Sequence, residues 1–86
     1  MNYRYVVDCA VAEDVLQLSF RQRNEFVQIF RALADAPYQE GDLTFKDSDG
    51  RYIQKKKFGQ WLVSYWPDHP VKEVRIVGIQ KARSNS

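Results

Sequence analysis

The chain has 86 residues, of which 44% are apolar and 28% charged, with a formal net charge of +2 and a single cysteine, Cys9. This length allows one domain over residues 1–86 and excludes a second. One cysteine excludes an internal disulfide and a cysteine-based metal cluster, and no apolar run approaches the roughly 20 residues of a membrane span. We therefore expect a cytoplasmic protein without a membrane anchor, a signal peptide or a cofactor.

The charges are distributed unevenly along the chain. Residues 1–50 carry nine acidic and five basic side chains, which gives −4, whereas residues 51–86 carry two acidic and eight basic side chains, which gives +6. Four of those eight basic residues lie in the segment 51–57. Because a one-signed surface raises the local concentration of phosphate groups, this asymmetry favours a polyanionic partner.

The N-terminal segment predicts a strand followed by a short helix. Tyr3–Val7 is rich in β-branched and aromatic side chains, which is typical of a strand. Asp8 follows at a position where its carboxylate can accept the free backbone N–H groups of a helix start. We therefore predict a first helix that is capped by Asp8 and runs to about Leu18.

A second and longer helix is predicted from Phe20 to about Ala36. Ser19 followed by Gln22 has the form of a capping box, in which the two side chains satisfy free backbone groups at the helix start. Pro37 ends the helix. Within this helix, apolar residues recur at the spacing of one helix face, which predicts a buried side. These residues are Phe26, Val27, Phe30, Leu33 and Ala34.

From Gly41 onward the apolar pattern changes to a period of two. Four strands are predicted, over residues 42–47, 51–58, 60–66 and 71–79, separated by turns at 48–50, 58–59 and 67–70. Such short connections favour antiparallel neighbours. The predicted fold class is α+β, with the N-terminal strand and two helices packed on one face of a mainly antiparallel, four- to five-stranded sheet.

The turn lengths predict which side chains share a face of the sheet. With a two-residue turn at 58–59 and a four-residue loop at 67–70, Lys55 and Lys57 lie on one face, and Arg75 lies opposite Leu62 on that same face. The other face is the better core, with Trp61, Val63, Tyr65, Val74 and Ile76. The prediction is an open cationic face, with Lys56 on the opposite side.

In order of elements and in local patterns the chain resembles the RelE/ParE superfamily of bacterial type II toxins. The similarity lies in Asp14-Val15 with Leu18, Arg23, the apolar series ending in Leu33 and Pro37, Gly59, the strand 61–65 and the segment 74–78. The resemblance implies a toxin domain spanning residues 1–86 that is held inactive by a cognate antitoxin. In the RelE branch it implies a ribosome-dependent mRNA endoribonuclease, whereas in the ParE branch it implies inhibition of DNA gyrase.

The resemblance also indicates site residues. RelE-like nucleases carry a basic-x-basic pair before the central glycine, which Lys55 and Lys57 match, and an arginine after it, where this chain has Leu62. We interpret Arg75 as a substitute for that arginine. The family also tends to have an arginine just beyond the final glycine and an aromatic residue or histidine near the end, where this chain offers Gln80, Lys81 and Arg83 and no terminal aromatic. Our candidate catalytic residues are Lys55, Lys57, Arg75 and Lys81, and our candidate nucleic-acid-binding residues are Arg51, Lys55, Lys57, Trp66, Lys81 and Arg83.

These residue types suit RNA cleavage without a metal. RNA carries its own nucleophile, the 2′-hydroxyl, so a protein needs to align it, move protons and stabilise charge on the phosphate. Lysines supply a base and a cation, and arginine binds phosphate oxygens bidentately. Two alternatives stay open: a ParE-like gyrase inhibitor or a catalytically inert relative that only binds an antitoxin, and a small nucleic-acid-binding domain without toxicity.

Overall fold

A computed structural model describes residues 3–82 of the chain. Its helices are α1 (Cys9–Leu16) and α2 (Phe20–Asp35), and its strands are β1 (Arg4–Val7), β2 (Leu43–Lys46), β3 (Tyr52–Phe58), β4 (Trp61–Asp68) and β5 (Glu73–Lys81). The five strands form one sheet in the order β1-β5-β4-β3-β2, in which β1 is parallel to β5 and the other neighbours are antiparallel. The predicted α+β class with a mainly antiparallel sheet is therefore confirmed.

The helix starts follow the sequence signals only in part. The capping box of α2 is present, since the Ser19 hydroxyl accepts from the Gln22 backbone N–H at 3.2 Å and the Gln22 side chain accepts from the Ser19 N–H at 3.3 Å. Asp8 occupies the N-cap position of α1, but its carboxylate makes no capping hydrogen bond within the described residues 3–82. The prediction that this carboxylate caps α1 is wrong, and the side chain is available for other contacts.

The hairpin between β3 and β4 turns one residue later than predicted. Phe58 pairs with Trp61, so the two turn residues are Gly59 and Gln60, and Gly59 has the positive φ of 61° that glycine adopts without strain. Lys57 consequently lies opposite Leu62 instead of Gln60. This difference of two in register keeps every side chain on its predicted face, because side-chain direction has a period of two.

The pairing of β4 with β5 differs more from the prediction. Strand β4 continues through Pro67 to Asp68, and the connection is a short 3₁₀ turn at His69–Val71. Proline is tolerated because the β3–β4 ladder ends before it, so Pro67 pairs only with Val74 of β5. Arg75 therefore lies opposite Trp66, and the predicted pairing of Arg75 with Leu62 is wrong.

The hydrophobic core lies between α2 and one face of the sheet. Its buried residues alternate along the strands and recur at helical spacing along α2, as the sequence pattern predicts. They are Val11, Phe26, Phe30, Leu33, Val63, Tyr65, Val74 and Ile76. No helix within residues 3–82 is long and apolar enough to cross a membrane. The opposite face of the sheet carries no helix of the described chain and presents Lys55, Lys57 and Arg75.

Candidate nucleic-acid interface

The lysine pair lies on the open face of β3. Lys55 pairs with Ser64 of β4, and Lys57 pairs with Leu62, so the two ammonium groups point to the same side, two residues apart. The Lys55 ammonium lies 5.1 Å from the ring centroid of Phe45 on β2, which gives it a favourable cation–π contact. Lys57 is exposed. The structure thus brings together the two lysines that the sequence indicates.

Lys56 lies on the other side of the strand. It pairs with buried Val63, donates a short hydrogen bond to Oε1 of Gln39, and its ammonium lies 5.7 Å from the ring centroid of Phe58. Its contacts are therefore structural, in agreement with the predicted faces. Of the three consecutive lysines, Lys55 and Lys57 lie on the open face. Lys56 connects β3 to the loop after α2 through its hydrogen bond to Gln39.

The backbone around the lysine pair is held by the loop before β2. The Asp42 N–H donates to the Lys55 carbonyl at 2.7 Å, and a carboxylate oxygen of Asp42 accepts from the Lys57 N–H at 2.8 Å. Gly41 lies so close that an added Cβ would be 2.5 Å from the Lys55 carbonyl oxygen. Only glycine permits this approach, so the loop supports β3 where both candidate lysines stand.

A second group of basic residues surrounds Trp66, toward the other end of the open face. The guanidinium carbon of Arg51 lies 4.3 Å from the Trp66 ring centroid, and that of Arg75 lies 5.9 Å from it. Both distances are within the range of cation–π contact. These side chains border a shallow cleft of about 280 Å³, which is lined by Asp8, Arg51, Trp66, Asp68, Arg75 and Val77.

Carboxylates fix the orientation of Arg75. Its guanidinium lies 3.5 Å from Oε1 of Glu73 and 3.8 Å from a carboxylate oxygen of Asp68. Glu73 is itself buried and is bound from the other side by Arg4, at 2.9 Å. Arg75 is thus a partly neutralised cation that lies beside two carboxylates.

The structure separates Lys81 from the other candidates. Lys81 pairs with Trp61, whose ring packs against Phe26 of α2 at 4.7 Å between centroids, so both strand residues lie on the helix side of the sheet. The Lys81 ammonium lies 6.0 Å from the Trp61 ring centroid. Arg83 lies outside the described residues. Of the candidate catalytic residues, Lys55, Lys57 and Arg75 share the open face and Lys81 does not.

The open face lacks arginine at two paired positions. The resemblance places one arginine at Leu62 and another just beyond the final glycine, Gly78. In the structure Leu62 lies directly opposite Gln80, which comes two residues after Gly78. The arginines on this face are instead Arg51 and Arg75, which lie beside Trp66. Arg75 lies there because the register of β4 and β5 pairs it with Trp66.

Tyr65 makes the stability of the folded state depend on pH in the alkaline range. Burial, and then the negative charge of Asp42, raise the pKa of the Tyr65 phenol from 10.0 to about 12. The folded state keeps a proton that the unfolded chain releases, so this contribution to stability is complete below pH 10 and is lost as the pH rises toward about 12. We expect Tyr65→Phe to reduce the decline of the unfolding free energy over that interval, measured by urea denaturation. An unchanged decline in the Tyr65→Phe variant would contradict this assignment.

Neither a protein-family model nor a curated protein matches the sequence. Solved structures do match the fold. The RelBE2 toxin–antitoxin complex from Mycobacterium tuberculosis contains a chain that is 17% identical, with a TM-score of 0.78 over 99% of this chain and 95% of that chain. The archaeal RelE–RelB complex from Pyrococcus horikoshii OT3 matches with 18% identity and a TM-score of 0.73 over the whole of both chains.

The isolated RelE toxin from E. coli gives a similar result. It is 16% identical, with a TM-score of 0.73 over 96% of this chain and 87% of that chain. The fold that the resemblance implies is thereby confirmed. The chain therefore has the fold of the RelE toxins over almost its entire length.

Proposed function

We propose that this protein is a RelE-like toxin of a type II toxin–antitoxin system and that it cleaves messenger RNA on the ribosome. The observation that carries the proposal is the lysine pair: Lys55 and Lys57 stand side by side on the open face of a RelE fold. An mRNA molecule that crosses this face contacts the Lys55 and Lys57 side chains on β3, which the loop before β2 holds in place. The cytoplasm, where ribosomes and mRNA are, is the location that this function requires.

The lysine pair can carry the chemistry without a metal. The 2′-hydroxyl attacks the adjacent phosphorus, the bond from phosphorus to the 5′-oxygen of the next nucleotide breaks, and the products are a 2′,3′-cyclic phosphate and a 5′-hydroxyl. One lysine, as the free amine, accepts the proton of the 2′-hydroxyl, and the other, as the ammonium, stabilises the negative charge that develops on the phosphate. The departing 5′-oxygen takes its proton from water. The ribosome supplies the alignment of the mRNA that this small open surface does not provide.

We further propose an antitoxin as partner. Two of the matched structures are complexes of a toxin with its antitoxin. An acidic antitoxin segment that neutralises the open face would exclude mRNA from it, because both ligands need the same cations. The uneven charge of the chain, +6 over residues 51–86, favours such a segment.

One observation favours a second candidate, a relative that binds an antitoxin but does not cleave RNA. The facing pair of Leu62 and Gln80 leaves the centre of the open face without a guanidinium. An arginine there would bind phosphate oxygens bidentately, which lysine does not do. The two candidates differ in whether expression of the chain stops translation.

Induction of the chain without an antitoxin tests the proposal. We expect growth arrest in which incorporation of labelled amino acids falls before incorporation of labelled thymidine. Continued growth and translation at a normal level of folded protein would support the non-cleaving relative instead. A fall in thymidine incorporation that precedes any loss of translation would indicate gyrase as the target and would refute the proposal.

A further inference from the structure

Four segments of the chain meet at the cleft around Trp66. Asp8 enters from the end of β1, Arg51 from the start of β3, Trp66 from β4, and Arg75 from β5. The pairing of β4 with β5 shifts at this point: Tyr65 pairs with Ile76 and Ser64 with Gly78, so Val77 is an extra residue and lines the cleft. Bulges of this kind often redirect side chains beside a binding site.

The flat groups in the cleft suit a nucleobase. The Arg51 guanidinium lies over the Trp66 ring at 4.3 Å and so covers that face of the indole. The outer face of such a planar guanidinium is a surface on which unpaired bases stack in RNA complexes. At about 280 Å³ the cleft is smaller than the usual pocket for a drug-sized ligand, so it suits one base rather than a helix.

The polar groups distinguish among the bases. Two carboxylates, Asp8 and Asp68, face the same cleft as the two guanidinium groups, so the site is not simply an anion site. Asp8 makes no capping hydrogen bond within residues 3–82, so its acceptor oxygens are available. Guanine is the base with two adjacent donors, N1–H and N2–H, for a carboxylate, and with two adjacent acceptors, O6 and N7, for an arginine. Adenine would present its N1 acceptor to the carboxylate, which is repulsive.

We propose that the cleft formed by Asp8, Arg51, Trp66 and Arg75 binds a single unpaired guanine of RNA. The inference rests on the proposed function for the choice of RNA as ligand. Trp66 lies two residues along β4 from Ser64, the partner of Lys55, which is a distance of about 7 Å. A guanine in the cleft therefore places its neighbouring phosphate within reach of the lysine pair, and the cleft sets the position of the strand.

Binding of short RNAs to the isolated protein tests this directly. The indole N–H signals of Trp66 and Trp61 in a ¹⁵N–¹H spectrum are assigned with Trp66→Phe and followed during titration with the trinucleotides UGU, UIU, UAU and UCU. We expect UGU to shift the Trp66 signal and to bind about tenfold more tightly than UAU. Inosine lacks the N2 amino group, so UIU should bind between the two. The Trp61 ring packs against Phe26 at 4.7 Å and should serve as an unshifted internal reference.

Asp8→Asn is the informative variant, because it removes the charge from an exposed side chain that makes no capping hydrogen bond within residues 3–82. It should abolish the preference for UGU over UAU while the spectrum stays that of a folded protein. Asp14→Asn, in the helix that Asp8 precedes and away from the cleft lining, is the matched control and should keep the preference. Equal affinity for UGU and UAU, or a preference that survives Asp8→Asn, would overturn the assignment.

This test separates the cleft from the proposed function. If UGU binds selectively but expression does not stop translation, the guanine site stands and the ribonuclease proposal fails. If translation stops but the trinucleotides are not distinguished, the ribonuclease proposal stands and the guanine site fails.

Discussion

Alanine at Lys55 or at Lys57 is expected to slow mRNA cleavage on the ribosome by about 100-fold or more, the usual contribution of a group that moves a proton or stabilises charge in the transition state. Both side chains lie on the open face of β3, and β3 is held in place by the loop before β2. The measurement is the single-turnover rate of cleavage at saturating protein, so that weaker binding to the ribosome does not lower the observed rate.

Lys56→Ala is the matched control, since it removes the same side chain from the intervening position. Its ammonium bonds Gln39 on the helix side of the sheet, so we expect a lower melting temperature and an unchanged cleavage rate. If Lys56→Ala slows cleavage as much as Lys55→Ala in a protein that is still folded at the assay temperature, the open face is not the site of chemistry.

Phe26→Ala is expected to have the largest effect on stability. The Phe26 side chain is fully buried and packs against Phe30 and Trp61, with centroid distances of 5.7 and 4.7 Å. Replacing a buried phenylalanine by alanine costs about 3–5 kcal/mol, which is a large part of the 5–15 kcal/mol that is typical of a whole domain. For a domain of this size, the melting temperature should fall by about 12 °C or more.

Phe20→Ala in the same helix is the control for helix propensity and for loss of a phenyl ring. Phe20 is 72% exposed at the first position of α2, so its removal should change the free energy of unfolding by about 0.5 kcal/mol or less. Equal losses for the two variants, measured by urea denaturation, would mean that α2 does not pack on the sheet as described.

The sequence predicts most of the fold because several of its signals are local. The capping box at Ser19 and Gln22 sets the start of α2, and the alternation along residues 60–66 sets the core face of β4. Even the wrong register in the β3–β4 hairpin places Lys55 and Lys57 on the correct face, because the difference is two residues. The lysine pair can therefore be found without a structure.

The cleft could not be predicted, because its residues come together through nonlocal pairing. Pro67 predicts the start of a loop, but β4 continues through it, at a point where β4 pairs only with β5. Arg75 therefore pairs with Trp66 and not, as predicted, with Leu62. No pattern in the sequence predicts that Val77 is an extra, unpaired residue of β5. Local sequence rules predict that the Asp8 carboxylate caps a helix. The structure shows that Asp8 makes no such capping bond within residues 3–82 and lines the cleft.

Cleavage of mRNA by the purified wild-type protein, with and without ribosomes, is the direct test of whether this chain is a ribosome-dependent ribonuclease. Ribosomes stalled with a defined codon in the decoding site are incubated with the protein, and the mRNA is mapped by primer extension. We predict a cut at that codon which requires the ribosome and leaves a 2′,3′-cyclic phosphate. Intact mRNA in a reaction where the folded protein is bound to the ribosome would show that the chain is not a ribosome-dependent ribonuclease.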